Sequence, residues 1–157
     1  MENKLLEALI LTEDCTTSES SNIIDNLFYI KTKKENSVIL KMIRDTWNTI
    51  KDYDYNPGSP GSFINLYSNN KILRHFLFII QYEINKDDIK DIAKEILECG
   101  LDNSNSLTNS LTMEIIEEWQ DKEYIELLKS KDYSMSRDID NERLRIIDES
   151  EEWICQN

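Results

Sequence analysis

Glycine and proline are almost missing from this chain. Of 157 residues three are glycine and two are proline, and four of those five stand together in Tyr55-Asn56-Pro57-Gly58-Ser59-Pro60-Gly61-Ser62. Sheets joined by tight turns need residues that reach positive φ or preset a bend, and a chain this poor in them supplies few such corners. Long helices with few connectors are what remain. The expected fold is therefore all-α, a compact single-domain bundle of about six to seven helices with irregular crossings. The length suits one sizeable core and would crowd two. Seven Tyr, four Phe and three Trp are enough to fill that core, so global disorder is excluded.

Apolar spacing places the helices. Leu5, Leu6, Leu9 and Ile10 make a short one over residues 3–11. Thr16-Thr17-Ser18-Glu19 is spaced as a capping box for a second, with Ile23, Ile24, Leu27, Phe28 and Ile30 on its face. Lys31, Lys33 and Lys34 close it where the helix dipole favours cations. Asn36 or Ser37 can cap a third over Val38–Tyr53, where Ile39, Met42, Ile43, Thr46, Trp47 and Ile50 recur at three- and four-residue intervals. The Pro-Gly loop follows, flanked by Tyr53, Tyr55, Phe63 and Tyr67. It is either a shaped contact surface or a connector with its aromatics tucked inward.

Asn69 or Asn70 opens the most hydrophobic element. Its Ile72, Leu73, Phe76, Leu77, Phe78, Ile79 and Ile80 cover more than one face, which predicts a central helix buried on two or more sides. Asn85-Lys86-Asp87-Asp88 reads as an N-cap with first-turn acids. Ile89, Ile92, Ala93, Ile96 and Leu97 form the stripe behind it, and Cys99-Gly100 ends it with glycine at C′. Asp102–Ser110 is Asn/Ser-rich, so a single helical domain over residues 1–157 would have its soft seam at 101–110. Thr112 then caps a helix with Met113, Ile116, Trp119, Ile125 and Leu128 inward, and Glu123 as a further inward candidate. Ser134 or Ser136 starts the last helix. Its inward row is Ile139, the Arg143 stem, Ile146, Ile147, Ser150 and Ile154.

The net charge of −13 is unevenly spread, and residues 101–157 carry fifteen acids against six bases. Two blocks concentrate it: Glu114-Ile115-Ile116-Glu117-Glu118-Trp119-Gln120-Asp121 and Ile146-Ile147-Asp148-Glu149-Ser150-Glu151-Glu152-Trp153-Ile154. Glu114, Glu117, Glu118 and Asp121 fall opposite the first apolar row. Asp138, Asp140, Asp148, Glu149, Glu151 and Glu152 fall opposite the second. Like charges three or four apart cost a few tenths of a kcal/mol each, so several together answer to something besides helix stability. Such a field repels nucleic acid and anionic membranes and attracts basic proteins, speeding association about 10–1,000-fold. A surface serving solubility alone is the competing account.

Most catalytic chemistry is missing its residues. With His75 the lone histidine, neither a His-based zinc site nor a His dyad can be assembled. Gly58 and Gly61 lack the lysine and hydroxyl residue of a phosphate loop, and no calcium loop, dinucleotide fingerprint or nucleophile elbow is present. Cys15, Cys99 and Cys155 are odd in number and widely spaced, which fits reduced thiols in the cytoplasm. Leu9-Ile10-Leu11 is too short for a signal peptide. Phe76–Ile80 is far short of the roughly 20 apolar residues a bilayer requires.

One enzymatic pattern stands. Glu95-x-x-Glu98 and Glu118-x-x-Asp121 set two carboxylate pairs on successive helices, able to bind magnesium and activate water against a pyrophosphate. Over residues 95–121 this resembles the all-α nucleoside triphosphate pyrophosphohydrolases, and the resemblance implies magnesium-dependent hydrolysis. Gln120 and Lys122-Glu123 depart from the small and apolar residues usual after the second pair. The main expectation is no enzyme, with no catalytic residue, metal or cofactor.

By size and charge the chain is similar to small acidic helical immunity proteins. That similarity implies an antitoxin-like inhibitor that neutralises a basic partner, a toxic nuclease, by acting as a DNA mimic over its nucleic-acid-binding surface. A phage- or virus-encoded inhibitor of a host nucleic-acid-handling defence complex is the alternative. The expected binding carboxylates are Glu114, Glu117, Glu118, Asp121, Asp148, Glu149, Glu151 and Glu152. Trp119, Tyr124, Tyr133 and Trp153 are the expected aromatic anchors, because aromatics commonly hold what charges orient. The expected protein is a monomer or small oligomer that contacts neither nucleic acid nor membrane directly.

Overall fold

The computed structural model describes residues 36–51 and 71–156; the two helices expected before residue 35, their capping box and the Pro-Gly loop lie outside them. Among the described residues every regular element is helical. In chain order these are α1 (Asn36–Lys51), α2 (Lys71–Glu83), a one-turn 3-10 helix (Lys86–Ile89), α3 (Lys90–Asp102), α4 (Ser106–Trp119), α5 (Lys122–Lys129) and α6 (Arg137–Gln156). The fold is thus all-α, six helices with irregular crossings and no strand among the described residues. The chain divides into two compact units, Met1–Phe76 and Leu77–Asn157, with the division inside α2. Residues 101–110 lie within the second unit.

In the first unit α1 buries the stripe its spacing predicts: Ile39, Ile43, Thr46, Trp47 and Ile50. The Thr46 hydroxyl avoids the cost of burial by donating to the Met42 carbonyl at 2.7 Å. Trp47 stacks on Phe76 with ring centroids 5.8 Å apart. It is a core residue.

The second unit is built around α4, which packs against α3, α5 and α6. On α2, Leu77, Ile79 and Ile80 are buried, but Phe78 and Tyr82 are 50% and 59% exposed. Leu73, Phe76 and Gln81 are buried too, so the helix is buried on more than one side, as expected, and only the flank of Phe78 and Tyr82 is open. Asn85 caps the 3-10 turn through Asp87 N at 3.0 Å, and α3 buries Ala93, Ile96, Leu97 and Leu101.

Gly100 does not end its helix, because α3 continues to Asp102. A Cβ at Gly100 would lie 3.0 Å from Thr112 Cγ2 and 3.1 Å from its Cβ, with Oγ1 closer still. The glycine is there so that α3 and α4 can approach. Thr112 correspondingly caps nothing: it is buried within α4, donating to the Thr108 carbonyl at 2.7 Å. The cap is Asn105, whose Oδ1 accepts from Leu107 N at 3.0 Å and Thr108 N at 3.2 Å. Asn109 is buried and aims Nδ2 at the carbonyls of Gly100, Leu101 and Asn103, at 3.0, 3.0 and 2.9 Å. These are the acceptors that the end of α3 leaves orphaned. The expected polar connector is therefore three residues followed by a helical turn.

The acidic helix expected to run on from Thr112 is two helices. Gln120 adopts the left-handed conformation, φ 50° and ψ 49°, while its N–H donates to the Ile116 carbonyl at 3.2 Å. The chain then restarts with Asp121 as N-cap, accepting from Glu123 N at 2.9 Å. Glu123 is exposed rather than inward, 3.8 Å from Lys94, and Tyr124, Ile125, Leu127 and Leu128 fill the core side of α5. In α6, Ile139, Ile146 and Ser150 are buried. Arg143 lays its stem inward and binds Asp140 at 3.2 Å, and Ile147 and Ile154 are half-buried at the edges.

Candidate functional site

The two acidic blocks meet along the seam between α4 and α6. Near one end, Ser110 Oγ donates to the Glu142 carboxylate, with oxygens at 2.9 and 3.1 Å. Two turns on, the Arg145 guanidinium forks onto Glu117, Nη1 to Oε1 at 2.9 Å and Nη2 to Oε2 at 3.0 Å. Nη1 also donates to Glu149 at 2.9 Å. Contacts that advance together along both helices mean that the helices run in the same direction at this seam.

The spacing of the rest follows from helical geometry. Ser110, Glu114 and Glu117 are four and three apart and line one side of α4. Glu142, Arg145, Glu149 and Glu152 line the facing side of α6 by the same intervals, with Asp148 beside them. A single cation thus sits among a half-dozen carboxylates. Its presence holds the Glu117 carboxyl below the usual range, through the hydrogen bonds first, and the Arg145 guanidinium is held protonated still more firmly than usual. Glu114, Asp148, Glu151 and Glu152 are exposed and, among the described residues, enter no ion pair.

The other expected contact residues divide by burial and by task. Glu118 is exposed at the edge of α4 and accepts from Gln81 Nε2 at 2.8 Å. Asp121 serves as the cap of α5. Trp119 and Tyr124 are 8% and 2% exposed, with ring centroids 5.8 Å apart, so both belong to the core and offer no ring to a partner. Lys86 Nζ donates to the Trp119 carbonyl at 2.7 Å. Tyr133 is half-buried and its hydroxyl donates to the Leu101 carbonyl at 2.6 Å, which ties the chain before α6 to the end of α3. Burial pushes that phenol well above its ordinary range. Trp153 is half-buried near the end of α6.

Three of the four carboxylates of the hydrolase pattern, Glu98, Glu118 and Asp121, are given to structural work. Lys131, largely buried, bridges Glu98 at 3.1 Å and Asp102 at 2.9 Å, while Glu118 holds Gln81 and Asp121 caps α5. Among the described residues no three His, Cys, Asp or Glu side chains gather closely enough to hold a metal ion. Burial, with Asp102 and Glu95 nearby, pushes the Cys99 thiol up to about 11, so it is not a nucleophile at neutral pH.

Two features escape the sequence reading. Arg145 crosses between helices, and nothing in its local spacing announces its partner on α4. Phe78 and Tyr82 form an exposed pair, rings 5.3 Å apart, which their four-residue spacing away from Leu77, Ile80 and Ile84 could have signalled.

What the described residues build is a small helical bundle with charged outer faces and surface ion pairs, an arrangement consistent with a protein–protein interaction module. Among them no helix is long and apolar enough to cross a membrane. No protein-family model, no curated protein and no solved structure matches the chain.

Proposed function

We propose that this protein is an acidic inhibitor that neutralises a toxic nuclease by covering its basic nucleic-acid-binding surface, in the manner of an immunity protein or antitoxin. The observation that carries the reading is the α4–α6 seam. There Glu114, Asp148 and Glu152 stand exposed beside the Glu117–Arg145–Glu149 bridge, Glu151 lies further round α6, and among the described residues none of the four enters an ion pair. Rigid helices hold the charge in place before a partner arrives, so little is lost in ordering it, and a concentrated negative field steers a basic partner in.

The test is the complex itself. The full chain, used as bait in extract of its native host, should retain a basic nuclease and lose it as salt is raised. The purified chain should then inhibit that nuclease. Glu114→Lys, Asp148→Lys and Glu152→Lys together leave the Arg145 bridge and the Asp121 cap untouched. They should weaken the complex by at least about tenfold, mostly by slowing association. Unchanged binding and inhibition by that variant would reduce the acidic face to a solubility surface.

A further inference from the structure

Interfaces held by charge alone are uncommon, since aromatic side chains usually anchor them. Trp119 and Tyr124 are buried, and Tyr133 is engaged with the Leu101 backbone. The exposed aromatic pair is elsewhere. Phe78 and Tyr82 stand 50% and 59% exposed on the outer flank of α2, rings 5.3 Å apart and tilted by 35°.

The helix that carries that pair is tied to the acidic helix by Gln81. Gln81 lies three residues after Phe78 and next to Tyr82. Its side chain, only 6% exposed, donates from Nε2 to Glu118 Oε2 at 2.8 Å. The Glu118 carboxylate is therefore held against the side of α2 that carries Gln81, the neighbour of Tyr82, and Glu114 lies one helical turn before Glu118 on α4. Lys86 borders this edge, donating to the Trp119 carbonyl at 2.7 Å and keeping its charge, so the two carboxylates outnumber it there. Aromatic faces beside carboxylates make a site for one kind of side chain above others. A guanidinium can lie flat on a ring and still donate in-plane to a carboxylate, whereas an ammonium has no flat face to stack.

We propose that Phe78 and Tyr82, with Glu114 and Glu118, form a docking face for an arginine-bearing segment of a basic protein. This deepens the inhibitor reading and rests on it: α2 supplies the anchor and α4 the complementary charge. The rings take the guanidinium and the apolar neighbours of the segment, and the carboxylates take its donors.

The experiment uses the full chain labelled with 15N and two decapeptides as probes, one alternating arginine with leucine and one alternating lysine with leucine. The arginine peptide should shift the amide signals of residues 78–82 and the Tyr82 ring protons, and should bind about tenfold more tightly than the lysine peptide. Phe78→Ala with Tyr82→Ala should weaken it about tenfold, Tyr82→Phe should retain it, and Glu114→Gln with Glu118→Gln should weaken it as well. Retention by the ring variant with loss in the carboxylate variant overturns the docking face and leaves the acidic inhibitor standing. Loss in the ring variant with retention in the carboxylate variant shows an apolar contact and overturns the docking face, while the inhibitor reading stands or falls with the Glu114→Lys, Asp148→Lys and Glu152→Lys variant. Equal binding of the two peptides overturns the arginine assignment. A wild-type dimer by light scattering that the ring variant converts to monomer shows a second copy on the rings, and also overturns it.

Discussion

The Arg145 guanidinium meets both oxygens of Glu117, at 2.9 and 3.0 Å, and so ties α6 to α4 by a two-pronged contact between elements otherwise lined with like charge. Without it the carboxylates of the two helices would face one another directly. The cation stabilises the seam and at the same time weakens its field.

Arg145→Ala should separate these two effects. Both partners are about half exposed, so the stability loss should be small, no more than about 1 kcal/mol. Glu117 has its carboxyl lowered by the contact, so the stability the pair supplies is complete above the ordinary carboxylate range. It fades as the pH falls through the lowered value. Urea melts should show a constant gap between wild type and variant from about pH 7 to pH 5 that closes below about pH 4. Binding to the captured basic partner should move the other way, with association faster in the variant at low salt.

Gly100 and Thr112 should behave as a coupled pair. Alanine in a helix is ordinarily better than glycine by about 1 kcal/mol. At Gly100 the added carbon would collide with Thr112, and overpacking of this kind costs about 1–3 kcal/mol. Gly100→Ala should therefore destabilise in thermal melts, and adding Thr112→Ala should recover much of the loss. Simple additivity of the two changes would show that the close approach is not what places the glycine.

Asn109 gives an ordering of two variants. Its amide donates toward three carbonyls at the end of α3. Asn109→Ala removes the donor and should cost about 1–3 kcal/mol. Asn109→Asp puts a negative acceptor where a donor stood, beside the negative end of a helix, and should cost more. Denaturant midpoints of the two proteins decide it.

Tyr133 links stability to alkaline pH. Its hydroxyl is a half-buried donor to the Leu101 carbonyl, and burial raises the phenol above its ordinary value. The stability from keeping it neutral is present below about pH 10 and declines as the unfolded chain ionises above that. Tyr133→Phe should lose about 1 kcal/mol at neutral pH yet show a shallower decline at pH 11 than wild type. Tyr124, whose phenol burial pushes up to about 12, should leave some decline in both.

Particular residues show what could be read from the chain and what could not. The stripes of α1 and α3 were legible because Ile39, Ile43, Trp47 and Ile50, and then Ala93, Ile96 and Leu97, are apolar at helical spacing and do go inward. The outward carboxylates of α6 were legible for the converse reason. The start of α4 was not, since Thr108, Asn109 and Thr112 are polar and yet buried: hydrogen bonds hold Asn109 and Thr112 inside, while the Thr108 hydroxyl is buried with no hydrogen-bond partner among the described residues. Periodicity scores such residues as surface. Gln120 was hidden too, because left-handed backbone is rare for any residue but glycine. At the candidate site the charges were visible and the geometry was not: local spacing puts Glu117 and Glu149 outside, but only tertiary packing brings Arg145 between them.

The bend at Gln120 decides the shape of the charge. An unbroken helix would have strung its carboxylates along one axis as a line, about 1.5 Å of rise per residue. Ending α4 at Trp119 spends Asp121 on a cap and leaves the remaining acids to be matched sideways by those of α6. The result is a strip whose width is set by the roughly 8–10 Å between two packed helices. That is close to the Debye length of about 8 Å at physiological ionic strength. A partner arriving over the seam therefore feels both helices as one object, while anything reaching only one edge meets half of it.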